Sequence, residues 1–236
     1  MGSASSLVLI TTATNPPEGV FVLGMTNVAK RTITAKAAAF FWSALGVQRI
    51  VIADATGQTL LDDADVLMLN QMDTEIEQIS YFQDNDLVIS KGKGRGEAAL
   101  IKFALENSKF LQSTECFFKC TGKIYCRNYL DIFAMIQRDG IQNIFWGDAF
   151  DHTELDTRFY YASKDYLLKV FLPACDAIDD RNHILMEHCA LSVTRDHLKQ
   201  GLSIRPMLSG FSGSSNRPYF DSSLGFLDQN LPCWFS

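Results

Sequence analysis

The segment Lys91-Gly92-Lys93-Gly94-Arg95-Gly96-Glu97 alternates cations with glycines. Glycine lets a backbone approach a ligand closely. A helix expected from about Glu97 to Asn107 would add unpaired N–H groups and its positive end, a setting suited to phosphate. Lys91, Lys93 and Arg95 bring full charges, so these cations with Gly92 and Gly94 are candidates for a phosphate or diphosphate contact. The competing reading is an exposed basic turn. The spacing matches neither G-x-x-x-x-G-K-[ST] nor the dinucleotide fingerprint. A second signal is Lys119-Cys120-Thr121-Gly122-Lys123, directly after Phe117-Phe118. Burying an unpaired ammonium is costly, so a lysine inside an apolar strand must reach a partner or the sheet edge. Either these residues meet an anion, or Lys119 snorkels from a strand end.

Carboxylates form the next group. Asp148 follows Trp146-Gly147 at the end of an expected strand and reads as a general base, a metal ligand or a turn residue. His183 and Glu187 lie four apart on one expected helix and share a face, while His188 points elsewhere. H-x-x-x-E-H therefore lacks metalloprotease geometry. Glu187, between Met186 and Cys189-Ala190-Leu191, reads as a carboxylate aimed into a pocket or as half of a surface Glu–His pair. Asp54 ends an apolar run, where it either holds a ribose hydroxyl or caps a turn. No G-x-S-x-G elbow is present, and Ser209–Ser215 reads as a flexible loop that closes over a ligand or merely links.

These residues need elements to hold them. Ser6–Thr12 is a continuous apolar, β-branched run, the pattern of a buried strand, and it leads into the loop Thr11–Gly19. Arg31–Leu45 reads as an Ala-rich helix stopped by Gly46. Gln48–Ala53 reads as a second buried strand, giving a βαβ unit with a parallel pair. Such sheets bind ligands beyond the carboxyl ends of their strands. Farther along, the expectations are a short helix after Asp62, strands at Leu87–Ser90, Cys116–Thr121, Asn143–Trp146 and Arg158–Ala162, and helices near Asn128–Arg138, Lys164–Leu172 and Asn182–Lys199. The tail from Ser203 reads as loop. Together these predict a single α/β domain over 1–236, with a mixed, mostly parallel central sheet flanked by helices and peripheral tails at 1–6 and 221–236.

Composition narrows the function classes. The chain has 236 residues, 47% hydrophobic and 20% charged, enough to bury a core without staples. Lys and Arg total 21 against 27 Asp and Glu, a net charge of −6 that argues against nucleic acid as the main partner. The six cysteines form no C-x-x-C pair and read as reduced thiols. No apolar run reaches the ~20 residues of a membrane span. The expectation is a cytoplasmic protein, with peripheral contact at the inner face of a membrane left open.

In their order along the chain, the opening strand with its Thr/Asn/Pro loop, the Arg31-led helix, IVIADATG, the Lys91–Glu97 segment, Phe117–Lys123, Glu187-His188 and Ser209–Ser214 resemble bacterial GT-A-like glycosyltransferases of surface polysaccharide (capsule or lipopolysaccharide O-antigen) assembly. The likeness covers roughly residues 7–220. It implies transfer of a sugar from a nucleotide-sugar donor, a UDP-sugar foremost, to a hydroxyl of a glycan or lipid-linked glycan acceptor. It implies donor contacts at Thr11, Asn15, Asp54, Lys91, Gly92, Lys93, Gly94, Arg95, Lys119, Thr121, Gly122 and Lys123. Glu187, or else Asp148, would be the base, and His188, Ser212 and Ser214 would meet the acceptor. Many GT-A enzymes hold a divalent metal on D-x-D. Here Asp84-Asn85-Asp86 precedes an apolar run instead of ending one, so the expectation is metal-independent transfer with the cations in the metal's place, a divalent ion staying open. Lys123 stands where relatives more often carry Arg. Two alternatives remain: a non-catalytic module binding a polyanion or nucleotide, and a sugar nucleotidyltransferase, disfavoured because the loop after Thr12 has Gly19 alone.

Overall fold

Strand β1 (Leu7–Thr12) is buried along its whole length in the computed structural model, which describes residues 6–21, 23–147, 155–194 and 204–220. Its alternating side chains serve two cores. Val8 and Ile10 face one cluster, and Leu7 and Leu9 face the other. Each such fully buried side chain stabilises the fold by about 1.5–3 kcal/mol. From β1 the chain runs through α1 (Val28–Ala44), β2 (Arg49–Asp54), α2 (Asp63–Gln71) and β3 (Glu75–Ser80). Next come α3 (Asn85–Lys91), α4 (Lys93–Asn107), α5 (Lys109–Gln112), β4 (Cys116–Thr121), β5 (Ile124–Cys126) and α6 (Tyr129–Asp139). β6 (Ile144–Gly147) and β7 (Leu155–Ser163) follow, then α7 (Lys164–Tyr166), a π turn at Leu167–Phe171 and α8 (Leu172–Ala174). The described chain ends with α9 (Met186–Thr194), β8 (Leu208–Phe211) and β9 (Pro218–Phe220).

A six-stranded sheet in the order β3-β2-β1-β4-β7-β6 forms the centre. β3, β2, β1 and β4 are parallel, whereas β7 is antiparallel to both β4 and β6. This is the mixed, mostly parallel sheet flanked by helices that the sequence predicts. α1 and α6 supply Trp42, Tyr129 and Ile132 to one face, and α4, α8 and α9 supply Ile101, Leu172 and Ala190 to the other. Among the described residues no helix is long and apolar enough to cross a membrane.

Five local expectations are corrected. Leu87–Ser90 is not a strand but part of α3, because Asp84 caps it by accepting from the Leu87 N–H at 3.0 Å. A four-residue apolar run is too short for periodicity to tell strand from helix. The edge strand β3 went unrecognised because Glu75, Glu77 and Gln78 hide it. Glu77 accepts from the N–H groups of Lys109 and Phe110, and Gln78 bridges to Leu61. The basic glycine segment is helical from Lys93 onward, and the break is Gly92, at φ 99°. The late helix begins at Met186 rather than Asn182, which leaves His183 at φ 58° outside it. Finally, the tail is not wholly loop, since β8 pairs with β5 and β9 in a second, three-stranded sheet.

Candidate functional site

The chain departs from β1 in both directions across the sheet, toward β2 and β3 on one side and β4 on the other. The carboxyl ends of β1 and β4 thus form the switch point at which open α/β sheets hold ligands. Gly122 closes this end: its N–H donates to the Thr11 carbonyl at 2.6 Å, and a Cβ there would stand 2.8 Å from that oxygen. Lys123 follows at φ 78°, in the left-handed region. Only 5% of Lys123 is exposed, and its ammonium makes no hydrogen bond or ion pair with any described residue. Burial, helped by repulsion from Arg31 and opposed by Glu97 and Asp54, pulls its pKa down to about 7.

Arg31 is equally buried. Its Nε donates to the Ala13 carbonyl at 2.6 Å and its Nη1 to the Met25 carbonyl at 2.8 Å. Loss of hydration lowers its pKa, partly offset by Asp54. Both cations meet at Gly213, where a Cβ would stand 3.7 Å from Arg31 Nη1 and 3.9 Å from Lys123 Nζ. Lys93 reaches the same turn through the Ser214 hydroxyl, and the Met25 N–H donates to the Gly213 carbonyl at 3.0 Å. Beside Gly122, the buried Thr12 hydroxyl has no hydrogen-bond partner. The result is a cationic cradle roofed by the β8–β9 turn. Its members come from α1, α4, the turn after β4 and that roof.

The other sequence-predicted residues are placed as follows. Lys119, wholly buried, lies 2.7 Å from Glu97 and also donates to the Thr121 hydroxyl and the Thr157 carbonyl at 2.9 and 2.8 Å. Thr11 and Thr121 donate to the same Glu97 oxygen at 2.6 and 3.2 Å. Loss of hydration raises the Glu97 pKa, but Lys119 and the two hydroxyls outweigh it and hold the carboxyl below its usual range. The two basic segments therefore do meet, as an internal ion pair that leaves Lys119 no donor for a ligand. Lys91 pairs with Asp179 at 2.8 Å and Arg95 with Asp176 at 2.6 Å. The glycines of that segment serve packing: a Cβ on Gly92 would stand 2.2 Å from Asp180 and one on Gly96 2.7 Å from Val88.

Asp54 takes the turn-capping role. One oxygen accepts from Thr14 N and Oγ1 at 2.9 and 3.0 Å, and the other from Thr56 N and Oγ1 at 2.7 and 2.5 Å. Buried and saturated, it shapes the loops after β1 and β2 and offers no lone pair to a ribose. The exposed Asn15 donates its N–H to the Thr56 hydroxyl. Glu187 accepts from the Thr157 hydroxyl at 2.8 Å, one residue's backbone away from Lys119. His188 Nδ1 accepts from the Leu185 N–H, a capping contact for α9. Ser212 accepts from the Ser215 N–H and so shapes the roof turn. Asp148 lies outside the described residues.

Asp84 Oδ1 caps α3 by accepting from the Leu87 N–H, and among the described residues no group of three or more His, Cys, Asp or Glu side chains is arranged to hold a metal. In the sequence reading Arg31 enters only as the head of an expected helix and Thr12 only at the end of the first expected strand, within the loop Thr11–Gly19. Arg31 had a signal, because it shares the buried stripe of α1 with Ala35, Ala38, Ala39 and Trp42.

No protein-family model matches this chain, and no curated protein matches it. Among solved structures it is similar to the crystal structure of a glycosyltransferase involved in the glycosylation of the major capsid of PBCV-1. That likeness has a TM-score of 0.45 at 8% identity and covers 83% of this chain and 79% of that one.

Proposed function

We propose that the chain is a glycosyltransferase that takes a sugar from a nucleoside-diphosphate donor and passes it to a hydroxyl of a glycan acceptor. The observation that carries this reading is Lys123, a lysine only 5% exposed whose ammonium makes no hydrogen bond or ion pair with a described residue and which meets Arg31 at Gly213. Two like charges buried together call for an anion. Asp54 and Glu97 attract these cations but make no hydrogen bond to either, and Glu97 is already paired with Lys119. A diphosphate in the cradle would give Lys123 and Arg31 a counter-charge. The ordered motifs from the first strand to the Ser209–Ser214 turn support the transfer chemistry.

In the reaction the acceptor oxygen bonds to the anomeric carbon and the bond from that carbon to the diphosphate breaks. The hydroxyl proton passes to the Glu187 carboxylate, the base in this reading. Negative charge grows on the departing diphosphate, and Lys123, Arg31 and Lys93 are positioned to stabilise it. The reading assigns this task to side-chain cations and not to a metal. Calorimetric titration with UDP, GDP and inorganic pyrophosphate tests it. Binding by the wild type that collapses in Lys123→Met supports the cradle, and equal binding by the two proteins refutes it.

A further inference from the structure

We propose that the ring of Phe82 is the platform on which the donor's nucleobase stacks, an inference that rests on the diphosphate reading above. Phe82 is 81% exposed, more than any other large hydrophobic side chain among the described residues. Its backbone is nevertheless pinned. Thr56 and Phe82 form an antiparallel bridge, the Gly57 N–H donates to the Tyr81 carbonyl, and the Gln83 N–H donates to the Ala55 carbonyl, both at 3.0 Å. The loops after β2 and β3 are thereby joined. The ring rests on bare backbone, since a Cβ on Gly57 would stand 2.2 Å from a ring carbon. Gly57, at φ 73°, both makes the turn and leaves room for the phenyl group. A ring supported this way keeps its place while the rest of its surface stays open to a planar ligand.

Position selects the ligand. Along the carboxyl edge, in the strand order β3-β2-β1-β4-β7, lie Phe82 after β3, the Thr56 hydroxyl with Asn15 after β2 and β1, the Lys123–Arg31 cradle at β1 and β4, and Glu187 on Thr157 of β7. A nucleotide sugar presents its groups in the same order: base, ribose, diphosphate, sugar. β3 lies two strand spacings from β1, about 9.5 Å, the scale of one nucleoside. The acceptor must approach at the Glu187 end, so the ring at the far end faces the base.

The test compares wild type, Phe82→Ala and Phe82→Trp by calorimetry with UDP, GDP and inorganic pyrophosphate. Stacking on an aromatic ring predicts that Phe82→Ala weakens the preferred nucleotide roughly ten-fold or more and leaves pyrophosphate affinity unchanged. Phe82→Trp keeps the affinity, and its added indole emission is quenched as nucleotide binds. The proposal fails, with the cradle left standing, if Phe82→Ala binds nucleotide like wild type or loses pyrophosphate to the same extent. It fails likewise if the variant raises only the acceptor KM, which would assign the ring to the glycan. If wild type binds none of the three, the diphosphate reading and this proposal fall together.

Discussion

The Lys119 ammonium stands 2.7 Å from the Glu97 carboxylate and so ties the centre of β4 to the second turn of α4. This pair unites the two basic segments of the sequence, and it does so as architecture. Each partner is completed by hydroxyls and a carbonyl, the condition under which an internal pair is tolerated.

Removing one member strands the other. Lys119→Met and Glu97→Gln should each cost about 3–5 kcal/mol, read as a lower urea midpoint, with the double variant less damaged than the sum of the two. The Glu97 pKa is lowered in the folded state. Its stabilising contribution is thus complete above the unfolded carboxyl value of about 4.3 and lost as pH falls through the lower folded value. Glu97→Gln should therefore flatten that part of the acid limb in pH-dependent denaturation.

At Lys123 the slope has the same sign at a higher pH, because burial disfavours its charged form. Its folded pKa of about 7 lies below its unfolded value. Between the two, the unfolded chain holds the extra proton, so stability rises as pH climbs from about 7 toward about 10.4. Below that window the cost of burying the charge is complete. Lys123→Met should remove this slope and, without ligand at pH 6, melt higher than wild type in a thermal scan, while losing donor affinity.

An anion in the cradle should raise the Lys123 pKa, so binding above pH 7 takes up a proton. Nucleotide affinity should then fall as pH rises past about 7, with an uptake visible as heats that differ between buffers of unlike ionisation enthalpy. Lys123→Met should show no such difference.

The roof is held by close contact. A Cβ on Gly24 would stand 2.2 Å from the Ser214 carbonyl oxygen, so Gly24→Ala must push the Gly213–Ser214 turn away from Lys123 and Arg31. The expected cost is about 1–3 kcal/mol, seen as a lower Tm, together with weaker pyrophosphate binding. An unchanged affinity would mean the roof takes no part in holding the anion.

Glu187→Gln keeps the size of the side chain and removes its capacity to take a proton. Single-turnover assays should show the transfer step slowed by about 10²–10⁴, with donor affinity unchanged. Thr157→Val, which deletes the hydroxyl donated to Glu187, should shift the pH profile of that step.

Much of the frame was legible because long apolar runs admit few readings. Ser6–Thr12, Gln48–Ala53 and Cys116–Thr121 are strands at those places, and the first two pair in parallel as their spacing demands. The segment around Gly92 is ambiguous in sequence for a physical reason. Glycine signals equally a close ligand and a close helix, and the Asp180 side chain that fills the space beside Gly92 is some ninety positions away.

The order of elements, the parallel core and the presence of cations near the carboxyl edge follow from residue type and period, which act locally. Which cation is left without a paired carboxylate was decided by tertiary structure alone. Lys119, Lys91 and Arg95 are answered by Glu97, Asp179 and Asp176, whereas Lys123 and Arg31 are brought together at Gly213 from segments far apart in the chain. Charge is compensated through space, so a formal charge in the sequence acquires its role only when the fold supplies or withholds its partner.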